Sequence, residues 1–306
     1  MTTAADWIAV DWGTSNLRAW GIGAGGDVVF ARASPQGMSR VTREAYAGVL
    51  SHLLADAIDA DGPPMDVVIC GMAGARQGWM EAPYLEAPAD LGAILDKAVA
   101  PTMPGTRLAP RILPGVCQRI AGAEDVMRGE ETQLLGLATL LPQFHGTVCM
   151  PGTHCKWVQM SGRRVERFAT AMTGELFDLL QTHSVLRHSL NGDLHGAGRE
   201  EGFEAGLAAG MEAPQRLTAM LFKVRAASLL SGKTPAWSAG FLSGALIGAE
   251  IGGQRNWIGA GEIPILGDPK LADLYARGLA MIGAGSRIMD ATEATLAGLK
   301  SARTRL

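Results

Sequence analysis

A short polar stretch follows the first apolar run of the chain, in the sequence IAVDWGTSNLRAW at residues 8–20. A plain hairpin turn would explain its glycine and asparagine, but it leaves Asp11 unexplained at the end of an apolar strand. Backbone amides in such a turn can converge on an anion, and the hydroxyls of Thr14 and Ser15 add donors for phosphate oxygens. Asp11 would repel that anion unless Mg²⁺ lies between them. The stretch therefore predicts a phosphate-binding turn with a magnesium ligand.

A second stretch of the same kind occurs in the second half of the chain. Pro151-Gly152-Thr153-His154 lies between two strand-like runs at 146–150 and 155–160. Both strand–turn–strand segments carry Gly-Thr at the turn, which indicates an internal repeat of a domain-sized unit. Two such turns would hold a triphosphate from opposite sides of a cleft. Lys156 follows the second turn and is either a surface residue or a further phosphate contact.

The elements around these turns predict an α/β fold. Apolar alternation and helical spacing give the order β-β-β-α-β in the first 70 residues, which implies a mixed sheet covered by helices. The predicted strands are 8–10, 17–20, 28–31, 65–70, 146–150, 155–160, 164–168 and 263–266. The predicted helices are 43–58, 174–186, 199–209, 214–230, 235–251 and 269–282.

The composition excludes several classes of protein. With 306 residues, 47% of them hydrophobic and 19% charged, the chain can form a large core and is not expected to be disordered. Its formal net charge of −3 gives no reason to expect a nucleic acid as a partner. Four cysteines without a CxxC motif predict reduced thiols. We find neither a signal peptide nor an apolar run of about 20 residues, so we expect a cytoplasmic protein with no membrane partner.

Three motifs resemble functional sites but fail on their context. GIGAGG at 21–26 precedes a strand, whereas the dinucleotide-binding GxGxxG must open a helix. SGKT at 231–234 follows a helical segment and lacks the first glycine of a P-loop. His183, His188 and His195 have neither the spacing nor the acidic partner of a transition-metal site.

Five blocks together resemble one family. The segments DWGTSNLRAW, VMRGEETQLLG, MPGTHCKWVQ, MTGELFDLL and FLSGALIGAE, from about residue 8 to 300, are similar to 2-dehydro-3-deoxygalactonokinases of the actin-like ATPase superfamily. The resemblance implies two ribonuclease-H-like lobes, each a mixed sheet flanked by helices, around a central cleft for ATP and substrate. We place the division at residues 1–124 and 125–306. The implied reaction is phosphorylation of 2-dehydro-3-deoxy-D-galactonate at its 6-hydroxyl by ATP, in galactonate breakdown.

The resemblance assigns the ATP site to several segments. Asp11 becomes the Mg²⁺ ligand, through water. In FLSGALIGAE, small residues are spaced for close helix packing, and their alternative role, shared with Gly267, is a wall for adenine. The residues expected to bind ATP are Gly13, Thr14, Ser15, Asn16, Arg18, Gly152, Thr153, His154, Lys156, Ser243, Gly244 and Gly267.

The segment RGEETQLLG supplies candidate catalytic residues. Glu130 and Glu131 open an apolar helix, where acidic residues are common because they complement the helix dipole. The segment also resembles the glutamate-bearing segment of exopolyphosphatase-type relatives. A kinase needs a carboxylate that orients the acceptor hydroxyl and receives its proton, and either glutamate could supply it. Arg128, directly upstream, could pair with the substrate carboxylate.

The glycine-rich segment GMAGARQGWMEAPYL at 71–85 follows a strand. Loops at the carboxyl ends of strands are where α/β sheets bind ligands. The resemblance assigns this loop to the sugar acid, with Met72, Gly74 and Trp79 as candidates. Arg76 is either a substrate contact or a solvated loop residue.

Two other functions remain open from the sequence. An exopolyphosphatase-like hydrolase would share the fold and the paired glutamates, and a nucleotide-switched binding protein would share the two lobes. Release of ADP with and without the sugar acid would separate the three functions. A homodimer is one oligomeric state that the sequence allows.

Overall fold

The computed structural model describes residues 5–59 and 61–304. Its strands are β1 (Trp7–Trp12), β2 (Leu17–Ile22), β3 (Val28–Ser34), β4 (Met65–Gly71), β5 (Tyr84–Glu86), β6 (Ala89–Asp90), β7 (Leu108–Ile112), β8 (Gly115–Gln118), β9 (Asp125–Met127), β10 (His145–Met150), β11 (Cys155–Ser161), β12 (Arg164–Ala171), β13 (Ile263–Gly267) and β14 (Ser286–Asp290). Its helices are α1 (Tyr46–Leu54), α2 (Glu130–Leu140), α3 (Thr173–Thr182), α4 (Arg199–Glu212), α5 (Leu217–Ser231), α6 (Pro235–Gly253), α7 (Pro269–Met281) and α8 (Ala291–Arg303).

The described residues form two compact units. The first holds the chain up to residue 145, residues 160–167 and the chain from 291 onward, and the second holds 146–159 and 168–290. The division predicted from the sequence, between residues 124 and 125, stays a prediction.

The main sheet of the first unit has the strand order β3-β2-β1-β4-β7. β1 pairs antiparallel with β2 and parallel with β4, which in turn pairs parallel with β7. Residues 7–10 of β1 are all buried, because the strand lies in the middle of the sheet with apolar side chains covering both faces. The β-β-β-α-β order predicted for this segment is confirmed, although α1 is shorter than predicted and a 3₁₀ turn precedes it.

A second sheet, most of which lies in the second unit, repeats that arrangement. Its strand order is β14-β13-β10-β11-β12-β6, with β10 parallel to β13, β13 parallel to β14 and the short β6 antiparallel to β12. In both units the first three strands in sequence lie side by side, and two parallel strands follow beyond the first of them. The predicted internal repeat and the mixed α/β fold class are therefore confirmed at the level of topology.

Helices α4 and α6 of the second unit pack with their backbones in contact. A methyl group on any of six glycines would collide with backbone atoms of the facing helix. These glycines recur at every fourth position of both helices, on one face of each. They are Gly202, Gly206 and Gly210 on α4, and Gly240, Gly244 and Gly248 on α6. The close packing predicted for FLSGALIGAE is confirmed.

Several elements were not predicted from the sequence. The segment from 84 to 127 contains β5, β8 and β9, which are three or four residues long and form a sheet of their own in the order β5-β8-β9. β14 has exposed residues at three of five positions. The buried face of α8 consists mainly of small residues, Ala294, Thr295, Gly298 and Ala302, with few of the large apolar residues from which a helix is predicted.

The rejected motifs occur where their context placed them. GIGAGG covers the last two residues of β2 and the turn before β3, and Gly26 adopts a positive φ of 85° in that turn. In SGKT, Gly232 ends α5 with φ of 61°, and Thr234 caps α6 by accepting the Trp237 N–H. All four cysteines are free and buried, as predicted. In the described part of the chain, no helix has both the length and the apolar character needed to cross a membrane.

Candidate active site

The first predicted phosphate turn joins β1 to β2 and is open to solvent at Thr14, Ser15 and Asn16. It is closed by a hydrogen bond from the Gly13 N–H to the Asn16 carbonyl, at 2.8 Å. The carbonyls of Gly13 and Thr14 accept hydrogen bonds of 3.0 Å from backbone N–H groups just after Gly37. Because these carbonyls already accept hydrogen bonds within the protein, the turn can present N–H and hydroxyl donors to an anion.

Asp11 lies at the base of this turn, opposite Arg18 in the β1–β2 register. Its carboxylate accepts a 2.7 Å hydrogen bond from the Arg18 guanidinium, which also donates to the Thr292 hydroxyl at 3.3 Å. The side chain of Asp11 keeps 17% of its surface exposed. Burial raises the pKa of this carboxyl above its ordinary value, and the charge of Arg18 opposes the rise. The Asp11 carboxylate, which the sequence assigns to Mg²⁺, is therefore paired with Arg18 in this structure.

The ends of β1 and β4 meet the start of α2 beside Asp11. Cys70 pairs with Asp11 across the parallel strands, and its thiol lies 3.9 Å from an Asp11 oxygen. Gly71 and Gly129 lie so close that a methyl group on Gly129 would be 3.4 Å from the Gly71 Cα. The geometry brings Asp11, at the base of the first turn, close to the start of RGEETQ.

The two glutamates of RGEETQ have different surroundings. Glu130 is half-buried and accepts the Arg128 N–H at 3.0 Å. Glu131 is completely buried and accepts the Gly129 N–H at 2.7 Å and the Thr132 hydroxyl at 3.1 Å. Burial, reinforced by the charge of Glu130, raises the pKa of Glu131 to about 8. Glu131 is consequently protonated at neutral pH, whereas Glu130 has surface that a ligand can reach.

Arg128 is the basic residue nearest to this pair in sequence. One of its guanidinium nitrogens, Nη2, donates to the Ala82 carbonyl at 2.8 Å, and the guanidinium carbon lies 4.4 Å from the centre of the Tyr84 ring. Its other two nitrogens, Nε and Nη1, are buried without a hydrogen-bond partner among the described residues. A buried cation with two unused donors is costly unless a ligand satisfies it.

The candidate residues of the loop after β4 differ in their exposure to solvent. Gly74 is buried beneath Arg128, whose Nη1 would be 2.8 Å from a methyl group there. Met72 is half-buried and Arg76 is exposed, with the Arg76 carbonyl accepting from Arg43. Trp79 is buried in the core, where its ring lies 6.2 Å from that of Trp12. The sugar-acid roles of these residues stay predictions.

The second predicted phosphate turn lies between β10 and β11 in the other unit. Thr153 and His154 are exposed, and the His154 ring contacts the carboxylate of Glu175, near the start of α3. The Glu175 N–H donates to the Thr153 carbonyl at 3.0 Å. A methyl group on Gly174 would lie 2.5 Å from the Gly152 carbonyl oxygen. As in the first turn, the N–H of a later residue donates to a carbonyl of the turn.

Lys156 is buried, so the prediction of a surface residue is wrong. Its ammonium lies 3.5 Å from the His154 carbonyl, under the turn. This position brings a positive charge to the turn, although the structure does not test its contact with phosphate.

A buried carboxylate lies behind the second turn. Glu250, near the end of α6, accepts hydrogen bonds from Trp157 Nε1 and the Tyr275 hydroxyl, both at 2.7 Å, and from the Thr173 hydroxyl. Thr173 begins α3, which packs on the turn through Gly174. The network therefore ties the turn to α6 and α7.

The residues predicted to form an adenine wall lie in different surroundings in the structure. Ser243 lines a cleft of about 380 Å³. The cleft begins at the N-terminus of α4 and is also lined by Arg199, Phe203 and Leu274. Gly244 is instead covered by α4, and Gly267 packs against Pro151, just before the second turn.

Several residues with a place in these sites were not predicted. Tyr84 and Thr132 touch site residues in the first unit, and Glu175 and Glu250 do so in the second. Glu175 and Glu250 lie within MTGELFDLL and FLSGALIGAE, so the blocks contained them without singling them out. Tyr84 lies within GMAGARQGWMEAPYL and Thr132 within RGEETQLLG, so these segments also contained them without singling them out.

Comparison with known proteins gives consistent matches over almost the whole chain. Residues 11–302 match the model of a family described as 2-keto-3-deoxy-galactonokinase. A protein of Rhizobium meliloti named as a probable 2-dehydro-3-deoxygalactonokinase is 45% identical over 305 residues, 99% of this chain and 98% of the relative. The 2-dehydro-3-deoxygalactonokinase of Escherichia coli is 36% identical over 298 residues, 97% of each chain. A solved structure from Sinorhizobium meliloti, assigned as a 2-dehydro-3-deoxygalactonokinase, has a TM-score of 0.90 at 43% identity, with 98% of both chains covered.

Proposed function

The chain belongs to the 2-keto-3-deoxy-galactonokinase family, and we propose that it transfers the γ-phosphoryl group of ATP to the 6-hydroxyl of 2-dehydro-3-deoxy-D-galactonate. The family match confirms the resemblance found in the five sequence blocks. The sugar acid and the position of transfer are our proposal for this chain.

Arg128 is the observation that carries the proposal of a carboxylate-bearing substrate. Its Nε and Nη1 are buried and lack a partner in the described structure, beside the loop at the carboxyl end of β4. A charge-assisted hydrogen bond from one of these donors to a carboxylate would satisfy it and compensate the positive charge. A neutral sugar would leave the positive charge uncompensated.

We propose that both turns bind the phosphates of ATP. The exposed hydroxyls of Thr14, Ser15 and Thr153 supply donors in addition to the backbone amides. The single, partly exposed carboxylate of Asp11 suits a magnesium ion held mostly by waters and phosphate oxygens, since Mg²⁺ in phosphate sites typically uses one or two carboxylates. In the described residues no group of three or more His, Cys, Asp and Glu could hold a metal by itself. When bound, the ion would neutralise charge that develops on the phosphates.

We propose Glu130 as the residue that receives the proton of the acceptor hydroxyl. The hydroxyl oxygen bonds to the γ-phosphorus, the bond from that phosphorus to the bridging oxygen of ADP breaks, and the proton moves to the carboxylate. A base must come within about 2.6–3.2 Å of the proton it takes. Glu130 has accessible surface for this, whereas Glu131 is buried and protonated.

The cleft at Ser243 is our proposed adenosine site. Its volume of about 380 Å³ falls in the range of small-molecule sites, and Phe203 and Leu274 give it apolar walls. The serine hydroxyl supplies one polar contact. Gly244 and Gly267 contribute by letting α4 and Pro151 approach closely.

A coupled assay of ADP release tests the proposed function. We expect release to depend on the sugar acid and Mg²⁺, and phosphorus NMR of the product to show a phosphomonoester at C6. Equal release without the sugar acid would instead support the phosphoanhydride hydrolase. Nucleotide binding without turnover under any of these conditions would support the nucleotide-switched binding protein.

Single amide variants of the glutamates test the base. Loss of a general base costs roughly 10²- to 10⁴-fold in rate, whereas an acidic residue that serves only the helix dipole contributes about 0.3–1 kcal/mol of stability. We expect Glu130→Gln to lower kcat at least about 100-fold, with little change in ATP affinity, and Glu131→Gln to lower it less. The reverse order would make Glu131 the base, and a few-fold effect of both would place the base elsewhere.

We also infer a reducing compartment, consistent with the cytoplasm, from the four free thiols. The homodimer stays a prediction, which sedimentation or size-exclusion measurements can test.

A further inference from the structure

The three-stranded sheet β5-β8-β9 places an aromatic ring against Arg128. Tyr84 begins β5, and β9 ends at Met127, directly before Arg128. The guanidinium carbon lies 4.4 Å from the centre of the Tyr84 ring, within the distance of a cation–π contact. The ring keeps 37% of its surface exposed, so it lies at the edge of the site rather than in the core.

A glycine of the neighbouring strand lies against the ring. Tyr84 pairs with Gly115 in the parallel register of β5 and β8, and a methyl group on Gly115 would lie 2.8 Å from the ring. A larger residue at 115 would push the ring away. Since β8 also pairs with β9, the same sheet sets the position of both the ring and Arg128.

Both groups that hold the guanidinium are uncharged. The Ala82 carbonyl accepts from Nη2, and the Tyr84 ring contacts the guanidinium, while Nε and Nη1 keep their hydrogen atoms unused in the described structure. A carboxylate in place of the ring would hold the arginine more tightly but would compete with an anionic ligand. A π face orients the cation and leaves its charge and two donors available.

We propose that Tyr84 is a positioning residue for the substrate carboxylate and acts through Arg128. The inference rests on the proposed function, in which Arg128 pairs with the sugar acid. It adds a specificity role for the aromatic ring: the ring favours acceptors that carry a carboxylate over neutral sugars of the same shape. The Tyr84 hydroxyl has no part in it.

The experiment compares Tyr84→Leu with Tyr84→Phe, and uses Val126→Ala as a control on the same sheet. Val126 is an exposed residue of β9, so its truncation tests whether loosening the sheet is enough to change binding. For each variant, KM for the sugar acid, KM for ATP and kcat are measured. The same constants are then measured with the carboxamide of the sugar acid.

We expect Tyr84→Leu to raise KM for the sugar acid about 5- to 30-fold, the size of a partly desolvated cation–π contact, and to leave KM for ATP unchanged. Tyr84→Phe and Val126→Ala should stay within about twofold of the parent, since the ring and Arg128 both remain. With the carboxamide, Tyr84→Leu and the parent should have equal KM, because the charge that Arg128 pairs with is gone. A merely structural role of the ring would change KM for both acceptors alike.

The result that overturns the inference is a Tyr84→Leu variant with the parent's KM for the sugar acid, or one whose defect is the same with the carboxamide. A defect shared by Tyr84→Phe would also overturn it, since it would assign the effect to the hydroxyl. Failure of the proposed function is separate and appears in the parent enzyme, as ADP release that does not depend on the sugar acid.

Discussion

The two phosphate turns share a backbone design but differ in the charges around them. In each unit the turn joins the first two strands of the repeated sheet, and a glycine after the third strand lies against it: Gly37 in the first unit and Gly174 in the second. The Gly13 and Thr14 carbonyls of the first turn and the Thr153 carbonyl of the second accept hydrogen bonds from later backbone N–H groups. The first turn, however, begins with the carboxylate of Asp11, whereas the second has His154 and the buried Lys156.

In the proposed function, this difference divides the work of one reaction between the two turns. The backbone elements proposed to bind phosphate are common to both turns, so their geometry follows from the sheet. The charged side chains differ: at the first turn Asp11 pairs with Arg18, whereas the second turn has the buried Lys156 beneath it. A carboxylate suits the end of the nucleotide where a cation lies, and basic groups suit the phosphate that has no cation.

The largest effect is expected from removing the negative charge of Asp11 at the first turn. Asp11→Asn should lower kcat at least about 10³-fold, since electrostatic stabilisation by a metal amounts to several kcal/mol and each 1.36 kcal/mol is tenfold in rate. His154→Gln, which removes the exposed contact with Glu175, should change kcat by less than about tenfold. Calorimetric titration of ATP with and without Mg²⁺ should show that Asp11→Asn loses the dependence on the ion. Normal turnover of Asp11→Asn would remove this residue from the mechanism.

Substitution of the glycine that lies against each turn tests the backbone design that the two turns share. Gly37→Ala and Gly174→Ala each place a methyl group against turn backbone, so both should raise KM for ATP and lower the free energy of unfolding by about 1–3 kcal/mol. Gly48→Ala is the matched control, because Gly48 is exposed on α1 with nothing near its added methyl group. That control should stabilise the protein by about 0.5–1 kcal/mol. An effect of only one of the two glycine variants on KM would show that the shared backbone design serves a single turn.

Each of the two turns also has a buried glutamate nearby. The free energies of unfolding of amide variants, measured as a function of pH, test each glutamate separately. Because burial raises the pKa of Glu131 to about 8 from an ordinary 4.5, the folded protein binds more protons than the unfolded chain between these values. Stability from Glu131 is therefore complete below about pH 4.5 and decreases as pH rises through 8.

Glu131→Gln should consequently gain stability relative to the parent as pH rises from 5 to 8.5, by at least about 1.4 kcal/mol, the equivalent of one pKa unit. Glu250→Gln should lower the free energy of unfolding instead, since Trp157, Tyr275 and Thr173 all donate to that carboxylate. Chemical denaturation across this pH range measures both. A constant difference between Glu131→Gln and the parent would contradict the raised pKa.

The sequence predicted the repeated part of the fold well, because its strands are apolar and its turns have a clear Gly-Thr pattern. It could not predict the sheet that holds Tyr84, since strands of three or four residues have too few positions for a period to appear. It also could not distinguish Glu130 from Glu131, because the difference lies in burial rather than in residue type. Lys156 was ambiguous for the same reason, since only the structure shows that it is buried.

The glycine face shared by α4 and α6 has a consequence for the proposed adenosine site. With backbone against backbone, no layer of side chains separates the helices, so they cannot slide or rotate past each other without steric collision. The cleft at Ser243 has residues of both helices on its walls, including Phe203 and Gly240, and its width is therefore fixed before any ligand arrives. Discrimination between purine and pyrimidine nucleotides would then come from the fit to a rigid slot. Such a slot costs little entropy on binding, but it cannot adjust to a base of different size.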